Sequence, residues 1–402
     1  MRALFITWAW RSHYYPMVPF AWALRAAGHE VMVASQPSFT EVITEAGLPA
    51  LPVGEDIDLK NRVIVPGRQR PASLDDSDEG DAGYASAAER GLRDIAWTAA
   101  PAESAAAMAV DTYRFAEHWK PDVVVYEPMA YLGPGLARDL GVPAVRLLWA
   151  TDFAASIVQR NPDMFDQLGG QLGQDVAKSF GDVTLDPSPP SLQISHDDVV
   201  RRPMRYVPYN GPAVLPTHLR TPPARPRIAV TWGGSLFDLG WHDGILGPHV
   251  VRALAGHDVE IVIATSDAQR HLYTDLPGNV THIGPVALHL LLPSCDAIIH
   301  QGGAGTTMTA MTTATPQLIM PWAPDAAVNA RQIEKTGAGR HHSTQGLDAA
   351  ALRATVHAFL TDLPGHRKAA DLLHAEHLDM PTPGDVARHI EQLVPVDGPA
   401  CP

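Results

Sequence analysis

Short apolar runs alternate with helix-compatible stretches along most of this chain of 402 residues. This alternation constrains the fold more than any other feature. In the first half, apolar residues recur at helical spacing from Met17 to Leu24, and Gly28 supplies a stop. The strand-like runs around that helix and after it are Arg2–Trp8, Glu30–Ser35, Asp122–Tyr126 and Val142–Leu148. Strands and helices in alternation predict a parallel sheet that is covered by helices on both faces.

The second half repeats this pattern after a Pro-rich segment, Pro203–Pro226. Its strand-like runs are Arg227–Trp232, Val259–Thr265, Val280–Ile283, Asp296–His300 and Gln317–Pro321. A chain of this length suggests two domains, each with its own core. We expect the first domain at 1–205, a linker at 206–226, the second domain at 227–380 and a closing helix with a tail at 381–402. Two doubly wound sheets that face each other form a cleft at the carboxyl ends of their strands.

A glycine-rich turn follows the fourth of these later runs. It reads His-Gln-Gly-Gly-Ala-Gly-Thr-Thr over His300–Thr307, with Asp325 and Asn329 further on. A strand, a glycine turn and a helix start together present backbone N–H groups to an anion, and glycine permits its close approach. On its own, however, the turn fits a diphosphate cradle and an ordinary tight turn equally well.

Composition excludes several classes of protein. Hydrophobic residues make up 46% and charged residues 18%, which is ordinary for a globular enzyme. No apolar run reaches the roughly 20 residues that span a bilayer, and the start of the chain lacks a signal-peptide pattern, so we expect a cytoplasmic protein with no membrane partner. The net charge of −14 argues against nucleic-acid binding. The two cysteines, Cys295 and Cys401, are expected to be reduced structural thiols.

Four further segments give the glycine turn a context. They are the stretch from Ser12-His13 to Val31, the segment Leu147–Asp152 (Leu-Leu-Trp-Ala-Thr-Asp), the run Arg205–Pro212, and Met380–Pro383. With these segments, nearly the whole chain resembles the GT-B glycosyltransferases, in particular the actinobacterial enzymes that attach deoxysugars to natural products such as macrolide, anthracycline and enediyne antibiotics. The resemblance implies two Rossmann-like domains facing a central cleft. The first domain would bind the acceptor, the second would bind the nucleotide sugar, and the closing helix would pack back on the first.

The resemblance also implies an activity. We expect an inverting transferase that moves a deoxysugar from a dTDP-sugar to a hydrophobic aglycone. His13, in the turn after the first strand, matches the general base of the family, and an imidazole suits proton transfer near neutral pH. Such enzymes often orient this histidine with a carboxylate. Asp111 is the candidate for that role and Asp152 is the alternative.

On the donor side, the similar enzymes bind the diphosphate with residues that match Ser235, His300, Gly303, Gly305 and Thr306, and the nucleobase at the position of Val286. Asp325 matches an acid that hydrogen-bonds the sugar. Two positions depart from the pattern. Ala326 replaces a glutamine, which suggests a sugar lacking a hydroxyl or a looser sugar site, and Thr315 replaces a glycine.

Aromatic side chains are expected near the acceptor. Tyr14 and Trp149 are the candidates for stacking on a flat aglycone, and Asp152 is expected beside them at the cleft. Two segments break the strand-helix pattern: Ser73–Gly83 is acidic and rich in turn residues, and Asn161–Pro190 is expected to be a variable excursion near the acceptor mouth.

The sequence Asp56-Ile57-Asp58 matches the metal-binding signature of a different glycosyltransferase fold. It follows a strand of the first domain, far from the glycine turn by topology, so we interpret it as a turn. We therefore expect no metal and no cofactor beyond the nucleotide sugar.

Other functional classes fit the sequence less well or stay open. A dinucleotide-dependent dehydrogenase is disfavoured because Arg11–Tyr15, after the first strand, lacks Gly-X-Gly-X-X-Gly. A sugar-nucleotide epimerase is disfavoured because few acids flank the motifs. A non-catalytic or partner-dependent homologue stays open, because some relatives need a cytochrome-P450-like auxiliary protein. This chain departs from them at Ala150-Thr151, where they have Gly-Pro, and at Ala326. A homodimer also stays open.

Overall fold

The computed structural model describes residues 1–58, 87–155, 180–194, 199–343 and 348–394, without the side chains of residues 87–98 and 243. The acidic segment Ser73–Gly83 and the greater part of Asn161–Pro190 lie outside these ranges.

The first sheet is entirely parallel. Within the described residues it has seven strands in the order β3-β2-β1-β4-β5-β6-β7. They are β1 (Arg2–Ile6), β2 (Glu30–Ser35), β3 (Ala50–Pro52), β4 (Val123–Tyr126), β5 (Ala144–Leu147), β6 (Val183–Asp186) and β7 (Arg201–Pro203). The strand order reverses between β1 and β4, where Ile6 lies beside Tyr126.

The second sheet, also parallel, has six strands in the described part of the chain, in the order β10-β9-β8-β11-β12-β13. They are β8 (Arg227–Thr231), β9 (Glu260–Ala264), β10 (Val280–Gly284), β11 (Ala297–His300), β12 (Gln317–Ile319) and β13 (Gly339–His341). Here the order reverses between β8 and β11, where Thr231 lies beside His300. The prediction of two doubly wound parallel sheets is confirmed.

Helices connect the strands and cover both sheets. In the first half they are α1 (Arg11–Tyr14), α2 (Val18–Ala26), α3 (Thr40–Glu45), α4 (Ala87–Trp119) and α5 (Leu132–Leu140). In the second half they are α6 (Ser235–Asp238), α7 (Gly247–Ala253), α8 (Leu288–Leu291), α9 (Ala304–Thr312), α10 (Pro324–Thr336), α11 (Ala349–Thr361), α12 (Leu363–Leu378) and α13 (Pro383–Glu391). None of the described helices is long and apolar enough to cross a membrane.

The central strands are apolar because both of their faces are covered. All four residues of β4 are buried, and so are all five of β8, as expected for strands inside a parallel sheet. The strands β6, β7 and β13 were not predicted. The last two are three-residue edge strands with arginine or histidine side chains, so they carry no apolar alternation that would reveal them.

The last described helix, α13, packs on the first domain. Its residues Val386, Ala387 and Ile390 are buried in the same core cluster as Phe20 and Leu24 of α2. The helix is opened by a capping box at Thr382 and Asp385. The chain therefore returns to its first domain after completing the second.

A buried apolar cluster joins the two domains. From the first half it includes Met129, Trp149 and Leu192, and from the second half Met308 and Ile333. Because burial of apolar area contributes about 25 cal/mol per Å², such a cluster stabilises the contact between the two domains. The two domains therefore share a core that includes Trp149 and Ala150 from the segment Leu147–Asp152.

Candidate active site

The two points of strand-order reversal hold the candidate site. In open parallel sheets, ligands bind at the carboxyl ends of strands beside such reversals. In the first sheet, the loop after β1 leads to His13, and Glu127 follows β4 directly. In the second sheet, the loop after β8 leads to Ser235, and the glycine turn follows β11.

The glycine turn has a backbone that requires glycine. Gly302 has φ +86°, and a Cβ there would lie 2.8 Å from Cγ2 of Ile319 and 2.9 Å from the Ala326 carbonyl oxygen. Gly303 is the N-cap of α9, and a Cβ on Gly305 would meet nothing within 4 Å. The first turn of α9, including the partly exposed Thr306, therefore presents N–H groups on a side with open space.

The loop after β8 touches the glycine turn. Gly233 has φ +60°, and a Cβ on it would lie 2.7 Å from Nε2 of Gln301. Ser235 begins α6 and is partly exposed. Glycine at 233 therefore lets the Gln301 side chain lie across the gap between the two loops.

His300 does not have the role that the sequence suggested. Its side chain is completely buried, and both ring nitrogens are hydrogen-bonded inside the domain. The Gly302 N–H donates to Nδ1 at 3.0 Å, and Nε2 lies 3.0 Å from Oε1 of Gln317. Burial lowers the pKa of His300 to about 4, so the ring is neutral at pH 7. The expectation that His300 contacts the diphosphate directly is corrected: it holds the turn from behind.

His13 is surrounded by aromatic and acidic groups. Its ring stacks on Trp149, with centroids 4.0 Å apart and planes at 30°. Its Nδ1 lies 3.1 Å from Oε2 of Glu127 and 2.8 Å from the indole Nε1 of Trp8. The Glu127 side chain is fully buried, whereas that of His13 is 11% exposed. The imidazole is therefore fixed at Nδ1 and on one face.

The carboxylate beside His13 is Glu127, and this corrects the expectation for Asp111. Asp111 accepts a hydrogen bond from the Gly54 N–H at 3.1 Å and pairs with Arg114, one helical turn away, at 3.2 Å. Asp111 lies on α4, and its side chain is 47% exposed. Sequence reasoning missed Glu127, although a single carboxylate directly after a buried central strand was a visible signal.

Asp325 belongs to the second domain and interacts electrostatically with His13. It lies in the first turn of α10. Burial raises the pKa of Asp325, while its backbone hydrogen bonds and the positive charge that His13 can carry act in the opposite direction. Ala326, next to it, is 2% exposed and packs against Gly302.

The acceptor candidates are distributed differently from the expectation. Tyr14 is 1% exposed and packs edge-on against Phe39, so it belongs to the core of the first domain. Burial raises the pKa of Tyr14. Trp149 is 6% exposed and covers one face of His13. The acceptor role expected for Tyr14 is therefore corrected, and Trp149 meets the cleft chiefly through the imidazole that it supports.

Asp152 is an internal structural group. Its carboxylate lies 2.5 Å from the Arg146 guanidinium and 3.0 Å from that of Arg201, and its own side chain is fully buried. Asp152 also accepts a hydrogen bond from the Ala155 N–H. With these partners it neither orients His13 nor faces the cleft, which corrects both expectations for this residue.

The remaining predicted positions lie at the edges of the site. Val286 follows β10 by two residues and is partly buried against the cluster that includes Ala264 and Leu291. Asp56 accepts a hydrogen bond from the Ser38 N–H at 2.9 Å. Cys295 is a buried free thiol, and burial raises its pKa to about 12. Cys401 lies outside the described residues.

Known proteins with this architecture share its sequence features. The family profile described as "Erythromycin biosynthesis protein CIII-like, N-terminal domain" matches residues 22–233, and the corresponding C-terminal profile matches residues 248–393. The 10-deoxymethynolide desosaminyltransferase of Streptomyces venezuelae is 36% identical over an alignment 420 residues long. The alignment covers 98% of this chain and 97% of that protein. The TDP-daunosamine transferase DnrS of Streptomyces peucetius is 34% identical over 422 residues, with 98% and 97% covered.

Solved structures agree with this likeness. The glycosyltransferase VinC in complex with dTDP superposes with a TM-score of 0.81 at 30% identity, covering 98% of this chain and 99% of that one. The spinosyn rhamnosyltransferase SpnG in complex with spinosyn aglycone gives 0.80 at 28% identity, with 97% and 100% covered. The GT-B fold expected from the sequence is confirmed. The chain therefore belongs to the erythromycin biosynthesis protein CIII-like family of antibiotic-biosynthesis enzymes and is a glycosyltransferase.

Proposed function

We propose that this glycosyltransferase moves a deoxysugar from a dTDP-sugar to a hydrophobic natural-product aglycone, with inversion at the anomeric carbon and His13 as the general base. One observation carries the proposal: His13 is bound to Glu127 at the strand reversal of the first sheet, while the glycine turn follows β11 at the strand reversal of the second. We infer that a proton acceptor and an anion cradle meet across one cleft.

In the proposed reaction, the acceptor hydroxyl gives its proton to Nε2 of His13 while its oxygen attacks the anomeric carbon. The bond from that carbon to the diphosphate breaks on the opposite side, and the electron pair leaves with the diphosphate. A proton on Nδ1 donates to Glu127, so the carboxylate stabilises the imidazolium that forms. Trp149 holds the ring plane by stacking.

The leaving group would be stabilised by backbone dipoles. The N–H groups at the start of α9, with Gly303, Gly305, Thr306 and Ser235 around them, would donate to the diphosphate oxygens. Preorganised donors of this kind are worth about 3–4 kcal/mol each in comparable sites. Because these donors oppose the anionic charge directly, we propose that transfer proceeds without a metal ion.

The sugar would lie between the base and the cradle. Asp325 would accept hydrogen bonds from sugar hydroxyls, and the small Ala326 offers no side-chain amide to pair with another hydroxyl. A deoxysugar leaves fewer polar groups to satisfy, so it suits this pair. Val286 would meet the thymine base. The matched relatives carry names of desosaminyl and daunosamine transferases, and the VinC structure holds dTDP.

The test combines turnover with binding. Purified protein is incubated with a panel of dTDP-deoxysugars and macrolide or anthracycline aglycones, with and without a P450-like auxiliary protein and with EDTA. Products are identified by mass spectrometry, and the anomeric configuration by NMR. His13→Ala should lower turnover at least about 100-fold while the Kd for dTDP, measured by calorimetry, stays within about twofold.

Each part of the proposal has an outcome that contradicts it. Retained turnover in His13→Ala would contradict the base assignment, and loss of turnover in EDTA that Mg²⁺ restores would contradict metal independence. Turnover that requires the auxiliary protein would instead support the partner-dependent alternative. That alternative is motivated by Ala150-Thr151, the Gly-Pro positions of the resembled segment.

A further inference from the structure

We propose that the Thr151 hydroxyl, on the first domain, positions the anion-binding glycine turn of the second domain through Asn329. The inference concerns a positioning residue, and it rests on the proposed binding of a diphosphate at that turn. Its starting point is a buried hydrogen bond that crosses between the domains, from Oγ1 of Thr151 to Oδ1 of Asn329. Thr151 is 4% exposed and Asn329 is 3% exposed.

Asn329 connects that hydroxyl to the turn. Its Nδ2 donates to the carbonyl oxygen of Gly302 at 3.1 Å. On its other side, the Gly302 N–H donates to Nδ1 of His300 at 3.0 Å. The peptide groups on both sides of the Gly302 Cα are thus fixed by hydrogen bonds, and this glycine has the left-handed φ that sets the turn.

The chain of bonds continues under α9. Nε2 of His300 lies 3.0 Å from Oε1 of Gln317, and Nε2 of Gln317 donates to the Thr307 carbonyl at 3.2 Å. Each bond points the same way when His300 carries its proton on Nε2. Burial keeps the ring neutral, and a neutral imidazole carries only one N–H. This arrangement needs that single proton on Nε2. Aligned hydrogen bonds of this kind polarise one another and make a rigid support.

The geometry of α10 explains why one hydroxyl can act at this distance. Asp325, Asn329 and Gln332 are spaced i, i+4 and i+7, so they share one face of the helix. That face meets the first domain, because Gln332 donates to the carbonyls of Leu192 and Gln193. The face therefore carries a sugar contact, a support for the turn and an interdomain clamp.

Thr151 gives this chain something that the resembled segment does not have. That segment has proline where this chain has Thr151, and proline has no hydroxyl with which to bond Asn329. Without the hydroxyl, Oδ1 of Asn329 would be left in a buried position without this donor, at the cost of an unsatisfied acceptor. The Asn329 amide could then rotate away from Gly302, and the glycine turn would lose one of the two hydrogen bonds that fix Gly302.

The experiment measures dTDP binding by calorimetry in the full chain. Thr151→Val removes the hydroxyl at nearly constant volume, and we expect the Kd for dTDP to rise about five- to tenfold, the equivalent of one buried hydrogen bond. Thr151→Ser keeps a hydroxyl and should stay within about twofold of the wild type. Should Thr151→Val fail to fold, Thr151→Ala carries the same expectation.

Gln332→Ala is the matched control. It removes interdomain hydrogen bonds from the same helix face without touching Gly302, so dTDP affinity should hold even where thermal unfolding shifts. We call the hydrogen bonds from Thr151 through Asn329 to Gly302 the relay. In a double-mutant cycle with Asn329→Ala, Thr151→Val should add less than twofold to the effect of Asn329→Ala alone, because Asn329→Ala has already broken the relay.

The outcomes separate the two proposals. An unchanged Kd in Thr151→Val, or equal losses in Thr151→Val and Gln332→Ala, would overturn the relay and leave the proposed function intact. Failure of the wild type to bind dTDP would overturn the proposed donor and the relay together.

Discussion

At the residue scale, one imidazole nitrogen has two neighbours that make opposite demands. The Trp8 indole N–H points at Nδ1 of His13 from 2.8 Å, and the Glu127 carboxylate lies 3.1 Å from the same atom. A protonated Nδ1 satisfies Glu127 and leaves Nε2 free to accept a proton. An unprotonated Nδ1 satisfies Trp8 instead. Glu127 therefore favours the tautomer that a general base needs, and Trp8 opposes it.

Removal of the charge on Glu127 should therefore impair the chemical step. We expect Glu127→Gln to lower kcat about 100-fold or more, because the amide neither selects the Nδ1–H tautomer nor stabilises the imidazolium. The Kd for dTDP should be unchanged, because Glu127 lies on the other sheet. The measurements are single-turnover kinetics and calorimetry.

Asp111→Asn is the control for that variant. Asp111 was the carboxylate expected from the sequence, but it bonds to Gly54 and Arg114, so its substitution should change kcat by less than about threefold. A larger loss of kcat in Asp111→Asn than in Glu127→Gln would restore the original assignment.

The features of the site that could be predicted from the sequence and those that could not differ in a physical way. The glycines of the turn were predictable because backbone geometry at Gly302 excludes a side chain. Glu127 and the burial of His300 were not, because they depend on which strands become neighbours and on what fills the space behind the turn. A sequence motif identifies His300 as part of the site without saying which way its nitrogens point.

At the element scale, Asp152 links strands of the first sheet. Arg146 comes from β5 and Arg201 from β7, with β6 between them, and both guanidinium groups reach the same carboxylate. A further ion pair joins Arg201 to Asp186 of β6 at 2.9 Å. Burial raises the pKa of Asp186. Buried ion pairs therefore connect β5, β6 and β7 in addition to their backbone hydrogen bonds.

Asp152→Asn should consequently destabilise the fold. The substitution leaves two guanidinium groups without their shared counter-charge, and loss of one partner of a buried pair costs about 3–5 kcal/mol. Urea unfolding measures the change. Asp267→Asn, in an exposed pair with Arg270 at 3.8 Å, should cost less than about 1 kcal/mol. Unchanged stability of Asp152→Asn with a raised KM for the aglycone would return Asp152 to the acceptor site.

At this scale the buried strands were the predictable part of the fold. The four residues of β4 are apolar because helices cover both faces of the sheet. In contrast, β7 consists of two arginines and a proline, and one of those arginines is committed to Asp152 and Asp186. An edge strand made of polar side chains shows no apolar alternation, so the sequence pattern does not reveal it.

At the scale of the whole molecule, the two domains share one buried cluster. The alternation of strands and helices predicts two sheets, and the Pro-rich segment predicts where they divide. Neither pattern shows that Trp149 of the first domain packs with Met308 and Ala330 of the second. Such contacts depend on how the sheets face each other, which no local pattern encodes. The relay from Thr151 was invisible in the sequence for the same reason.

Buried neutral histidines should make the stability of the whole molecule sensitive to acid. Burial lowers the pKa of His377 to about 4, and the nearby Arg205 and His374 act in the same direction. In the unfolded chain its pKa is close to 6.5. Between these values the unfolded state binds more protons, so the free energy of unfolding falls as the pH falls through about 6.5 and the loss levels off near pH 4. His300 contributes in the same sense.

His377→Gln isolates one of these contributions. The raised pKa values of Asp186 and Asp325 favour the folded state in acid, but they are common to both proteins and cancel in the comparison. From pH 7.5 to pH 5, the wild type should lose about 2 kcal/mol more of its free energy of unfolding than His377→Gln, as determined by urea titration at each pH. Parallel losses in the two proteins would mean that the imidazole is protonated inside the fold. The unpartnered Nδ1 of His377 would then need an acceptor, so the side chains of α12 near Arg205 would have to rearrange on protonation.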